Sequence, residues 1–202
     1  DTFTGIRCTH QPSPWMGDYG WFVMRPLMGW ANNDWMGFTS YRVEGALRPY
    51  LLDLTLGPAG VRVEFTPSMH GGILRTTFPE AVPQAKRKVC VWVPAGRLFE
   101  EEDERHAKVS GRPTGRCSAE KGRIRLESRK AAGGVPEDSN FSLFAAFEAE
   151  GLEAEEEQLP GSRNTLPRQC CFHLGNKTQA EVRVGTSFIS LEQSLRALDE
   201  EV

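Results

Sequence analysis

Short β-type segments with almost no helical pattern between them constrain this 202-residue chain more than any other feature. Val61-Arg62-Val63-Glu64-Phe65, Val89-Cys90-Val91-Trp92-Val93 and Arg123-Ile124-Arg125-Leu126-Glu127 alternate or nearly alternate, with the period at which a strand turns one face to a core. Trp21 to Met24 is a continuous apolar run, and Phe141 to Phe147 and Glu181 to Ile189 complete the set. Gly57-Pro58-Ala59-Gly60 and His70-Gly71-Gly72 lie between such segments and predict hairpin connections. Strands without intervening helices pair antiparallel, and a sheet with one apolar face needs a second layer. The expected fold is therefore all-β, an antiparallel β-sandwich.

The chain changes character only at its end. Ser190 offers an N-cap with Glu192 in the first turn, and Leu191, Leu195 and Leu198 fall on one side of a helix. Two other segments interrupt the strand pattern and are expected to be exposed, mobile excursions. One is the charge run Glu100 to His106 leading into the Gly- and Arg-rich Gly111 to Gly122; the other is the acidic Glu150 to Glu157. These carboxylates lack the Asp/Asn/Gly spacing of a calcium loop and read as solvated surface.

Charge and composition narrow the function classes. A net charge of -3 argues against a dedicated nucleic-acid surface, and no apolar stretch approaches the length that spans a bilayer. Asp1 in place of an initiator methionine implies a processed or trimmed start. The five cysteines, Cys8, Cys90, Cys117, Cys170 and Cys171, form no C-x-x-C pair, so a thiolate metal site is not expected, and an odd count leaves at least one thiol unpaired within the chain. Asn140-Phe141-Ser142 and Asn176-Lys177-Thr178 are N-glycosylation triplets that favour a secreted or otherwise extracytoplasmic location.

The segment richest in chemistry is Thr9-His10-Gln11-Pro12-Ser13-Pro14-Trp15-Met16-Gly17-Asp18-Tyr19-Gly20. Its prolines and glycines exclude regular structure and favour a rigid, bent loop. It offers His10, Gln11, Trp15, Asp18 and Tyr19, a set suited to a sugar: carboxylate and amide bind vicinal hydroxyls, and an indole stacks on the C–H face of a pyranose. The same residues also suit a Trp-anchored surface loop that packs on its own sheet.

The wording of this loop, from Ile6 to Gly20, resembles the N-terminal domain of glycoside hydrolase family 92, the calcium-dependent exo-acting alpha-mannosidases. Tyr50-Leu51-Leu52-Asp53-Leu54, Val63-Glu64-Phe65-Thr66-Pro67, Leu74-Arg75-Thr76-Thr77-Phe78-Pro79 and Val182 to Gln193 resemble later passages of that domain in the same order. Phe99 to Asp138 does not, and looks like a variable insertion. The resemblance implies a supersandwich-like domain over residues 1–189. Residues 190–202 would then begin a linker helix towards an (α/α)6 catalytic barrel outside this sequence.

It further implies an inverting hydrolase of terminal alpha-mannosides of N-glycans or mannans. Inversion needs an acid and a base roughly 6.5–9.5 Å apart with water between them. In the family both carboxylates and most calcium ligands come from the barrel, so the fragment alone is expected to be inactive and no catalytic or metal residue is assigned within it. The implied partners are the alpha-mannoside glycan and the C-terminal barrel. Carried over residue by residue, the substrate-binding set is His10, Gln11, Trp15, Asp18 and Tyr19, with Thr9 beside them.

A different class of function, a stand-alone non-catalytic carbohydrate-binding sandwich, fits the strands equally well but not the apolar-faced helix at the end. Other polar residues read as structural. His70 belongs in a solvent-facing turn, and His173 and Cys171 read as a half-buried pair on one strand face rather than a nucleophilic dyad. Asn32-Asn33-Asp34-Trp35 fits either a turn or a second part of a sugar cleft.

Overall fold

The computed structural model of the chain describes residues 2–8, 22–27, 41–93, 114–129, 142–157 and 169–202. The strands are β1 (Thr2–Phe3), β2 (Ile6–Cys8), β3 (Phe22–Leu27), β4 (Tyr41–Arg48), β5 (Leu51–Gly57), β6 (Val61–Pro67) and β7 (Gly71–Thr77). They continue with β8 (Lys88–Trp92), β9 (Thr114–Glu120), β10 (Arg123–Arg129), β11 (Ser142–Glu148), β12 (Glu153–Glu157), β13 (Gln169–His173) and β14 (Gln179–Ser187), before helix α1 (Leu191–Glu201). No helix among the described residues is long and apolar enough to cross a membrane.

Two antiparallel sheets face each other, as the alternation predicts. The larger has nine strands in the order β1-β4-β5-β6-β7-β14-β11-β10-β9, and the smaller has five in the order β12-β13-β8-β3-β2. Their inner faces share one core: Leu56, Val61, Val63, Leu74, Ile124, Phe147 and Val182 from the large sheet meet Met24, Val89, Val91 and Phe172 from the small one. Phe22 stands edge-on to Phe147 across the layer, with ring centroids 5.0 Å apart. Gly57 to Gly60 closes the β5–β6 hairpin. In the β6–β7 hairpin the turn is made by Ser68, Met69 and His70, so Gly71 and Gly72 belong to β7 rather than to the turn. The strand needs glycine there, because a Cβ at Gly71 would meet the Val184 carbonyl oxygen at 1.9 Å.

Two expectations need correction. Glu153 to Glu157 is edge strand β12, paired with β13, and Thr114 to Glu120 is edge strand β9, so neither segment is an excursion. The same pairing places residues 114–129, within the stretch read as an insertion, in the large sheet. Four of the cysteines are joined, Cys90 to Cys171 and Cys117 to Cys170. Because successive strand residues face opposite ways, adjacent Cys170 and Cys171 serve different partners. Cys170 reaches inward across the core to Cys117 of the other sheet, and Cys171 lies outward beside Cys90 on the neighbouring strand.

Helix α1 starts as its sequence predicts, with Ser190 Oγ accepting from the Gln193 amide at 3.1 Å. It docks on the outer face of the large sheet over Gly185 and Ala146, which are cross-strand neighbours. Ser194, Ala197 and Leu198 are the residues it buries, while Leu191 and Leu195 are only half-buried. The predicted leucine face is thus displaced towards small side chains, because the helix approaches a glycine closely. Glu201 near its end accepts from the His70 amide at 3.1 Å and pairs with His70 Nδ1 at 2.7 Å, so the His70 turn is exposed but tied to the helix.

Candidate functional site

Strand register shows which segments share one end of the sandwich. The Cys8–Phe22 pair, Trp92, Gln169 and Glu157 lie at one end of the small sheet, and Thr114, Arg129 and Ser142 lie at one end of the large sheet. Val93 joins these ends, since a Cβ on Gly115 would stand 2.2 Å from its Cγ1. The strands bracketing residues 9–21, 94–113, 130–141 and 158–168 therefore all open onto the same end. The strands bracketing residues 28–40 open onto the opposite one. Thr9, His10, Gln11, Trp15, Asp18 and Tyr19 lie outside the described residues, as do Asn32 to Trp35, Glu100 to His106 and Asn140. What is fixed is the base of the 9–21 segment, a hairpin at the edge of the small sheet.

Next to that base, the outer face of the small sheet carries ordered rows of side chains. Val23, Trp92, Gln169 and Glu157 form one row; Arg25, Cys90, Cys171 and Glu155 form the next; Leu27, Lys88, His173 and Glu153 form the third. Glu157 is the hub. Lys88 Nζ donates to its two carboxylate oxygens at 2.6 and 2.8 Å, and Gln169 Nε2 donates at 2.9 Å. His173 Nε2 stands 3.4 Å from Glu157 and 3.5 Å from Glu155. Sequence reasoning missed this cluster because its acidic member sits in a segment that reads as surface.

Arg25 is the unusual member of the face. It is 5% exposed, and its Nε and Nη1 atoms have no hydrogen-bond partner among the described residues. Burial pulls its guanidinium pKa below the ordinary value, only partly opposed by Tyr41.

Cys171 is disulfide-bonded to Cys90 and has no thiol to pair with His173, so the two are structural neighbours, as expected. Cys90, Glu157 and Cys171 converge within 4.8 Å, yet a disulfide offers calcium no hard oxygen, and one carboxylate already held by a lysine does not make a cage. On the other sheet, Arg123 and Arg183 both pair with Glu148, and Arg123 also reaches Asp199 of α1 at 3.2 Å. The Arg123 hydrogen bond, with help from Arg183, holds the Glu148 carboxyl below the usual carboxylate range. This group fastens the helix to the sheet.

The chain matches the family model described as the glycosyl hydrolase family 92 N-terminal domain over residues 1–187. It belongs to glycoside hydrolase family 92. The match covers the whole sandwich, including residues 114–129, and stops just before α1. Among solved structures, the family 92 inverting mannosidase of Bacteroides thetaiotaomicron is similar at a TM-score of 0.65 and 22% identity, over 100% of this chain and 26% of that one. A second family 92 alpha-mannosidase from that organism, solved in complex with mannoimidazole, is similar at a TM-score of 0.60 and 12% identity, over 95% of this chain and 28% of that one. At these identities the likeness is one of fold, and the family 92 sandwich spans about a quarter of each relative. No curated protein matches the chain.

Proposed function

We propose that this sandwich is the N-terminal, sugar-pocket domain of an exo-acting alpha-mannosidase. Its 9–21 segment would supply one wall of the pocket, and the catalytic acid, base and calcium would reside in a C-terminal (α/α)6 domain. The observation that carries this reading is the family 92 match over residues 1–187. The convergence of four bracketed segments on one end of the sandwich supports it, since a scaffold that gathers its long connections at one end builds sites from them. In this reading His10, Gln11, Asp18 and Tyr19 hold mannose hydroxyls, and Trp15 stacks on the ring. Calcium, when bound, orients vicinal hydroxyls and compensates charge. Inversion then follows from an acid and a water-activating base on opposite sides of the sugar.

Two disulfides favour an oxidising compartment, and exposed Asn176, in the β13–β14 turn, suits a secreted protein. The test is kinetic and uses the full-length protein. Trp15→Ala and Asp18→Asn should each lower kcat/KM on an aryl alpha-mannoside by about 10- to 1000-fold, with little change in stability for Asp18→Asn. Near wild-type kinetics for both variants would remove the loop from the sugar site. Activity unchanged by a calcium chelator would remove calcium from the mechanism.

A further inference from the structure

The turn between β13 and β14 carries two polar side chains that the fold does not use. The Lys177 amide donates to the Leu174 carbonyl at 3.0 Å, which closes Leu174-Gly175-Asn176-Lys177 as a tight turn. Gly175 supplies the positive φ, at +57°, so Asn176 is not needed there for its tolerance of the left-handed region. Nor does its carboxamide brace the turn, since Asn176 is exposed and its side chain makes no hydrogen bond among the described residues. Thr178 is fixed through its backbone, whose carbonyl accepts from the Phe78 amide at 2.7 Å. Its hydroxyl likewise has no partner among the described residues.

The surroundings of the turn are open. A Cβ added at Gly175 would meet nothing within 4 Å. Lys177, between the two unused side chains, is drawn aside by a hydrogen bond from its Nζ to the Gly151 carbonyl at 3.1 Å. β13 starts at the crowded end with Gln169, so the turn after His173 stands at the opposite end of the small sheet. The other glycosylation triplet differs at Ser142, which is buried and donates to Glu127 at 3.5 Å, so its hydroxyl has a structural use.

We propose that Asn176 is an N-glycosylation site, with Asn176-Lys177-Thr178 displayed on this turn as the acceptor triplet. The inference rests on the proposed secretion of the protein, which the two disulfides favour. The donor is an oligosaccharide carried on a lipid pyrophosphate. A bond forms between Asn176 Nδ2 and the anomeric carbon of the first sugar as that carbon's bond to the pyrophosphate oxygen breaks. One Nδ2 proton leaves to the medium, and nothing is oxidised or reduced. The Thr178 hydroxyl, two residues on, completes the signal for transfer. An exposed turn with open space around it accommodates the bulk of the glycan.

Peptide mass spectrometry of the full-length protein purified from its native source tests the proposal. In most copies the peptide containing Asn176 should be heavier than its sequence mass by an oligosaccharide, and fragment spectra should place that mass on Asn176. In the same cells, Asn176→Gln and Thr178→Ala should abolish the modification, whereas Thr178→Ser, which keeps the hydroxyl, should retain it. The Asn176 peptide at its sequence mass in most copies of the native protein would overturn the assignment. Modification that survives Thr178→Ala would overturn it equally, by removing the triplet as the signal. Thiol labelling of the same sample separates the site from the reading it rests on. An unmodified Asn176 with both disulfides intact defeats the site alone, and an unmodified Asn176 with free thiols at Cys90, Cys117, Cys170 and Cys171 defeats the proposed secretion with it.

Discussion

Removing the inter-sheet bond by Cys117→Ala together with Cys170→Ala should destabilise the sandwich by about 3 kcal/mol, less than its own loop length suggests. Cys117 and Cys170 are 53 residues apart, and closing that loop alone corresponds to about 4 kcal/mol of chain entropy. Cys90 and Cys171 close an 81-residue loop that encloses the first, worth about 4.5 kcal/mol alone. With the outer bond present, a second route joins Cys117 to Cys170 through Cys90 and Cys171, only about 28 residues long. The unfolded chain is then already constrained, and the inner bond removes only about 3 kcal/mol more. Removing all four cysteines should cost about 8 kcal/mol, more than the two pairwise losses together. Native-state hydrogen exchange of the full-length protein, read in peptides covering residues 88–92 and 169–173, measures this within the domain itself. A loss of about 3 kcal/mol accelerates the slowest amides about 150-fold. Exchange unchanged within threefold, or free thiols at Cys117 and Cys170 in the wild-type protein, would refute the reasoning.

Gly185→Val should lift α1 from the sheet at a cost of roughly 1–3 kcal/mol, because the new Cβ would lie 2.3 Å from the Ser194 carbonyl oxygen and 2.4 Å from the Leu198 amide nitrogen, backbone atoms that no rotamer change relieves. Exchange protection of residues 191–201 equal to wild type would contradict it. The pairing of Glu148 with Arg123 and Arg183 depresses its folded-state pKa, so its contribution is present above the ordinary carboxylate range and is lost as pH falls through the depressed value. Glu148→Gln should therefore be less stable than wild type at neutral pH and lose less stability on acidification; parallel curves of unfolding midpoint against pH would dispose of the pairing.

The sequence is most legible where strands lie in sheet interiors. Val61 to Phe65, Val89 to Trp92 and Arg123 to Glu127 turn alternate residues towards the core, and each is a strand. Thr114 to Glu120 and Glu153 to Glu157 were illegible for the complementary reason. Both are edge strands, β9 of the large sheet and β12 of the small one, and charge on an edge deters pairing with another chain while erasing the apolar signature of a strand. Once β12 is recognised, the grouping of Glu157 with Lys88, Gln169 and His173 follows from register alone. The position of α1 was illegible in its leucines because closest approach is set by Gly185, whose role depends on a helix that contacts it from outside the sheet.

The carboxylates of the described sandwich whose pKa is shifted are those paired with cations. An inverting hydrolase needs one carboxyl held protonated near neutral pH, which requires an apolar or anionic neighbourhood that raises its pKa. Every resolved carboxylate shift among the described residues runs the other way. Asp53 is lowered chiefly by the Arg62 hydrogen bond, Glu148 by Arg123 and Glu201 by His70. Glu157, the best-buried carboxylate near the base of the 9–21 segment, is occupied by Lys88 and Gln169. Carboxylates fixed to cations hold strands and a helix together.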